Sequence, residues 1–146
     1  MKILLVDDNL SLTTLLSRAL NRLGYQVTAE NDSDRAIRTI QKLRPDLIIL
    51  DLEMPGKSGL EIYGELKISS QLASIPVIML ASLDDAGSVR SEVFGCDVLR
   101  KPAGLDDLLT VIEKNLLHHN SDPVDRDIHP THSNSKKREV YENILQ

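Results

Sequence analysis

The chain has 146 residues, a formal net charge of −5 from 17 basic and 22 acidic side chains, and 41% apolar residues, which suits one domain with a sizeable core and at most a short appendage. The single cysteine excludes an intramolecular disulfide and a Cys-rich zinc module, while the acidic balance and the scarce aromatics argue against a nucleic-acid binder. No apolar stretch approaches the roughly 20 residues of a membrane span, and Asp7 and Asp8 interrupt the start where a signal peptide would stay apolar, so a cytoplasmic protein that does not engage the membrane is expected.

The first element is the apolar run Ile3-Leu4-Leu5-Val6. It is too short for a helix and does not alternate, as expected of a parallel strand buried on both faces. Leu12, Leu15, Leu16, Ala19, Leu20 and Leu23 then follow helical spacing, with Gly24 placed to end the helix. Tyr25-Gln26-Val27-Thr28-Ala29 reads as a weaker strand. Ala36, Ile37, Ile40 and Leu43 give a second helix that Pro45 breaks. The run Leu47-Ile48-Ile49-Leu50 is the next strand, and Ser58-Gly59-Leu60-Glu61 has the spacing of a capping box opening a helix through Leu66. A strand at Val77-Ile78-Met79-Leu80, a poorly apolar helix around residues 84–95, a short strand at Val98-Leu99 and a helix carrying Leu105, Leu108, Leu109, Ile112 and Leu116 complete the pattern. Five strand–helix alternations predict an α/β, doubly wound, five-stranded parallel sheet with helices on both faces. A flavodoxin-like (βα)5 order of 2-1-3-4-5 makes the first and third strands neighbours at the switch point.

The composition changes near residue 118. Residues 118–146 hold all four histidines and no glycine, and 119–134 are polar with Pro123 and Pro130. The expected organisation is a domain at 1–118, a linker at 119–134 and a terminal helix at 135–146 with Val140, Tyr141, Ile144 and Leu145 on one side. That helix reads equally as the start of an output domain that the chain does not complete and as an end that frays or binds a partner.

In an open α/β sheet, function collects beyond the carboxyl ends of the strands. The first strand there runs into Asp7-Asp8, the third into Asp51 followed by Leu52-Glu53-Met54-Pro55-Gly56, the fourth into Ala81-Ser82 and the fifth into Lys101-Pro102. With strands one and three adjacent, Asp7, Asp8 and Asp51 share a pocket. Three crowded carboxylates call for a hard divalent cation, and Mg2+ takes one or two carboxylates, waters and a phosphate oxygen. Lys101 adds a point charge for an anion, and the remaining carboxylate suits a nucleophile that becomes an aspartyl-phosphate. Each residue alone has a blander reading: Asp7-Asp8 as an N-cap, Asp51 as a loop acid, Lys101-Pro102 as an element end. The coincidence of four placements favours the chemistry.

Across residues 1 to about 118 the chain resembles the receiver domain of bacterial two-component response regulators. The resemblance rests on Asp7-Asp8, Asp51, Met54-Pro55-Gly56 with Gly59-Leu60, and Lys101-Pro102. It implies that Asp51 accepts a phosphoryl group from the phosphohistidine of a sensor histidine kinase or phosphotransfer protein. It implies that Asp8 coordinates Mg2+ directly, Asp7 through water and Glu53 through its backbone carbonyl, while Lys101 contacts the phosphoryl oxygens. The implied role is a signalling phospho-acceptor that assists its own phosphorylation and dephosphorylation, with a DNA-binding output domain beyond the C-terminus as one form of output. Self-association into a homodimer is left open.

Three departures stand out. The family's Ser or Thr at the end of the fourth strand is Ala81 here, with Ser82 one position later as a candidate hydroxyl substitute or an ordinary turn residue. The family's aromatic before the lysine is Val98 or Leu99. Ala103-Gly104, with no Phe, follows Lys101-Pro102. These keep a second function class open, a receiver-like interaction module that works without phosphorylation. A third class, phosphatases with an aspartyl nucleophile, lacks its Asp-x-Asp-x-Thr spacing at Asp7-Asp8-Asn9-Leu10.

Overall fold

The computed structural model describes residues 1–82 and 95–119. The helix expected around 84–95, the terminal helix at 135–146 and all but the first residue of the expected linker lie outside the described residues. The elements run β1 (Lys2–Val6), α1 (Leu10–Arg22), β2 (Gln26–Glu30), a 3-10 turn (Ser33–Arg35) continuing into α2 (Ala36–Leu43), and β3 (Leu47–Asp51). They continue with α3 (Gly59–Ile68), β4 (Val77–Ala81), β5 (Asp97–Arg100) and α4 (Leu105–His119). All strand pairs are parallel, and the order is β2-β1-β3-β4-β5, as expected from the alternation.

The pleat divides the core. Ile3, Leu5, Leu47, Ile49, Ile78 and Leu80 point to one face and meet Leu16 and Leu20 of α1 and Leu108 and Ile112 of α4. Leu4, Val6, Ile48, Leu50, Met79 and Ala81 point to the other and meet Ala36 and Ile40 of α2 and Ile62, Tyr63 and Leu66 of α3. Burial on both faces explains why the three central strands read as unbroken apolar runs. Cys96 packs in the second layer as a small apolar residue, and burial pushes its thiol pKa up.

Local chemistry sets the helix ends. The Ser58–Glu61 capping box forms in both directions. Gly24, at φ +94, follows the end of α1. Some boundaries differ from the sequence reading: α3 runs on to Ile68, and β5 gains a residue at each end. Strand β2 lies one residue later, because Tyr25 is buried against the α1 layer while Glu30 continues the ladder beside Val6. Helix α2 ends at Leu43, ahead of Pro45 as expected, with Arg44 in the left-handed position at φ 50.

Candidate functional site

The C-terminal tips of β1, β3, β4 and β5 open on one edge of the sheet. Adjacent pairing of β1 and β3 places Val6 opposite Leu50, so the residues that follow emerge side by side. Oxygens of Asp7, Asp8 and Asp51 lie within 4.8 Å of one another. Asp7 is wholly buried, Asp51 is 3% exposed, and Asp8 faces solvent. Lys101 reaches over from the end of β5, its Nζ 3.0 Å from Asp7 Oδ2 and 2.9 Å from Asp51 Oδ1.

Neither Asp7 nor Asp8 caps the following helix. Asn9 does, its Oδ1 accepting from the Leu12 amide at 3.0 Å, while Asp7 Oδ1 accepts from the Asn9 amide at 2.9 Å. That leaves Asp7 Oδ2 to Lys101 and Asp8 to the open side.

Burial pushes the Asp51 carboxyl up most. The hydrogen bond from Lys101 pulls it back, the Asp7 charge pushes it further, and the result is about 6 against an ordinary 3.8. Burial opposes the charged form of Lys101, but its hydrogen bonds to Asp51 and Asp7 outweigh that and raise its pKa. The lysine therefore stays an ammonium, and Asp51 is a poorly solvated carboxylate above about pH 6.

Gly59 explains its place in the sequence pattern. A Cβ there would collide with the Asp51 carbonyl oxygen and sit 2.8 Å from the Leu52 Cα, so α3 can start this close to the acid only with glycine. The Gly59 amide donates to the Leu52 carbonyl at 2.8 Å, and the Leu52 amide to the Leu80 carbonyl at 2.8 Å. Glu53 is exposed beside the site, its amide 3.4 Å from Asp51 Oδ1.

Ala81 is fully buried on the α2–α3 face and brings no hydroxyl to the edge. Ser82 is half-buried just past β4, lining a crevice of about 320 Å3 with Asn9, Leu12, Lys101 and Pro102. Val98 pairs with Met79 and packs on the Ala81 face, whereas Leu99 packs on the opposite one. Of the two candidates for the family's aromatic position, Val98 thus shares its layer with Ala81.

The sequence reading missed the stretch after β2. The Glu30 carbonyl accepts from the Asp7 amide at 3.2 Å, and Asn31 Nδ2 donates to the Asp7 carbonyl at 2.8 Å. Ser33, almost fully buried, donates from Oγ to the Pro55 carbonyl. The one signal for these contacts was a serine among acids in a turn, which carries no information about a partner 22 residues away.

Three comparisons bear on this site. The family described as "Response regulator receiver domain" matches residues 3–113. The "DNA-binding response regulator MtrA" of Mycolicibacterium paratuberculosis is 29% identical over 126 residues, covering 85% of this chain and 55% of that protein. "Sporulation initiation phosphotransferase F" of Bacillus subtilis is 30% identical over 117 residues, covering 79% of this chain and 93% of that protein. Among solved structures, the chemotaxis response regulator CheY4 of Vibrio cholerae superposes with a TM-score of 0.70 at 30% identity, over 78% of this chain and 97% of that one. The chain spans about half the length of the DNA-binding relative it matches.

Proposed function

We propose, from the premise that this chain belongs to the response regulator receiver-domain family and serves two-component phosphorelay signalling, that Asp51 is its phospho-acceptor. The observation that carries this reading is the Lys101 ammonium bridging two buried carboxylates, Asp7 and Asp51, beside the exposed Asp8. An Asp51 oxygen forms the new bond to phosphorus as the bond from phosphorus to the donor histidine breaks. Partial desolvation leaves that oxygen few competing partners. Lys101 stays protonated and is held at 2.9 Å from Asp51, where it can turn to an incoming phosphoryl oxygen.

The donor set suits Mg2+. Three carboxylates offer hard oxygens within 4.8 Å of one another, Lys101 supplies one positive charge against three negative ones, and a divalent cation cancels the remaining two. Asp8 would hold it directly, with Asp7 through water and with Asp51 and the Glu53 carbonyl. When bound, the ion supplies charge neutralisation for the phosphoryl group in transfer.

In this reading the domain is a signalling phospho-acceptor at residues 1–118 that assists its own phosphorylation and dephosphorylation. The phosphoryl group comes from a sensor histidine kinase or phosphotransfer protein in the cytoplasm. Output passes through 119–146 to a DNA-binding domain or a partner. Among the described residues no helix is long and apolar enough to cross a membrane.

Intact-mass measurement after treatment with a small phosphodonor and Mg2+ tests the assignment. One phosphoryl group should add to the wild type, none to Asp51→Asn, and little to Asp8→Ala. A persistent adduct on Asp51→Asn overturns it. A second reading, a receiver-like module that works without phosphorylation, draws on the buried Ala81. A wild type that takes up neither Mg2+ nor phosphoryl group would favour it.

A further inference from the structure

We infer that Ser33, on the far side of the acidic pocket from Lys101, is a positioning residue that sets the cation affinity of the site. The inference rests on the reading of that pocket as an Mg2+ site.

The loop between β3 and α3 carries Glu53, and its ends are tied down by the Leu52 and Gly59 amides. Between them Met54 packs against the core, while Glu53, Pro55 and Gly56 are exposed. There the Ser33 hydroxyl donates to the Pro55 carbonyl at 2.5 Å, while Ser33 is itself only 3% exposed. Gly56, at φ +80, lies so close that a Cβ would come within 2.9 Å of Ser33 Oγ and 3.0 Å of an Asp34 carboxylate oxygen. The two loops thus fit against each other at Ser33.

The turn that carries Ser33 is organised by a buried acid. The Glu30 carboxylate accepts from the Asp32 amide at 3.0 Å, from Arg35 at 3.1 Å and from Thr39 Oγ1 at 2.8 Å. Arg35 also reaches Asp32 Oδ2 at 3.2 Å. With its oxygens satisfied by three donors, Glu30 is the organising centre of the turn. The same segment grips the end of β1: the Glu30 carbonyl accepts from the Asp7 N–H, and the Asn31 side-chain Nδ2 donates to the Asp7 carbonyl. One short turn therefore clasps the backbone of both loops that carry the carboxylates, Asp7 on one side and the loop after Asp51 on the other.

A hard cation demands near-fixed oxygen positions, so a loop that samples other conformations binds in proportion to the fraction in the right one. Removing the Ser33 hydroxyl leaves Asp7, Asp8, Asp51 and Lys101 in place and Met54 packed on the core, but releases the loop at Pro55. The net worth of one hydrogen bond corresponds to roughly a three- to tenfold loss of affinity.

The test titrates Mg2+ alone into the 15N-labelled full chain, following the amides of Leu52, Glu53, Met54 and Gly56, in wild type, Ser33→Ala and Ile40→Val. Ile40 is fully buried in α2, so its truncation lowers stability without touching the clasp. Ser33→Ala should weaken Mg2+ binding roughly three- to tenfold and speed amide exchange at Glu53, Met54 and Gly56, while Ile40→Val keeps wild-type affinity. Wild-type affinity in Ser33→Ala, or an equal loss in Ile40→Val, overturns the positioning role and leaves the cation site standing. A wild type that does not bind Mg2+ overturns the cation site itself, and the inference falls with it.

Discussion

Replacing the acid at the centre of the site should make the fold more stable, and the size of the gain follows from the site's electrostatics. Asp51 is 3% exposed and its carboxyl is pushed to about 6 from 3.8. In the unfolded chain it titrates near its ordinary value. Between about pH 4 and pH 6 the folded state therefore holds a proton that the unfolded state has lost, and stability falls as pH rises through that window. Above it the whole cost remains. About two pK units at ~1.4 kcal/mol each come to about 3 kcal/mol. Asparagine keeps the shape and carries no charge at any pH. Asp51→Asn should thus gain about 3 kcal/mol at pH 7.5, or roughly 10 °C in thermal midpoint, and almost nothing at pH 4. Denaturant unfolding of both proteins in metal-free, low-salt buffer at the two pH values measures this. A variant less stable than wild type at pH 7.5, or a gain equal at both pH values, would refute the claim that burial of the Asp51 charge costs more than its Lys101 contact returns.

Three other outcomes are expected. Gly59→Ala should cost about 3 kcal/mol by driving a methyl into the Asp51 and Leu52 backbone, whereas Gly64→Ala, with nothing within 4 Å of its Cβ, should gain roughly 0.5–1 kcal/mol, as denaturation midpoints will show. Ala81→Thr should enlarge the amide shifts that beryllofluoride causes across residues 84–100, since a hydrogen bond to a charged phosphoryl group is worth roughly 1.5–3 kcal/mol, about ten- to a hundredfold in a two-state ratio. Deleting residues 119–146 should leave the thermal midpoint nearly unchanged, and a large fall by calorimetry would make the terminal segment part of the folding unit.

Much of the molecule is legible before any coordinates because its signals are local or periodic. Apolar runs such as Leu47-Ile48-Ile49-Leu50 are what a strand covered on both faces requires, and the Ser58–Glu61 box or Gly24 acts within one helical turn. Acids and the lysine at strand ends follow from the topology, since parallel strands in one sheet all finish on the same edge. For that reason Asp7, Asp8, Asp51 and Lys101 could be gathered from spacing alone. Local patterning could not say that Asn9, rather than either aspartate, caps α1, because all three are good caps and only the path of the chain leaving β1 chooses among them. Nor could it choose Val98 over Leu99, a matter of β4–β5 register that shifts every side chain to the other face by one residue. The rise of the Asp51 pKa needs the burial, the Lys101 contact and the Asp7 charge together. The grip of Glu30, Asn31 and Ser33 on the two acid-bearing loops is likewise a property of tertiary packing. Those contacts join residues 22 to 24 positions apart, and no helical or strand period relates them.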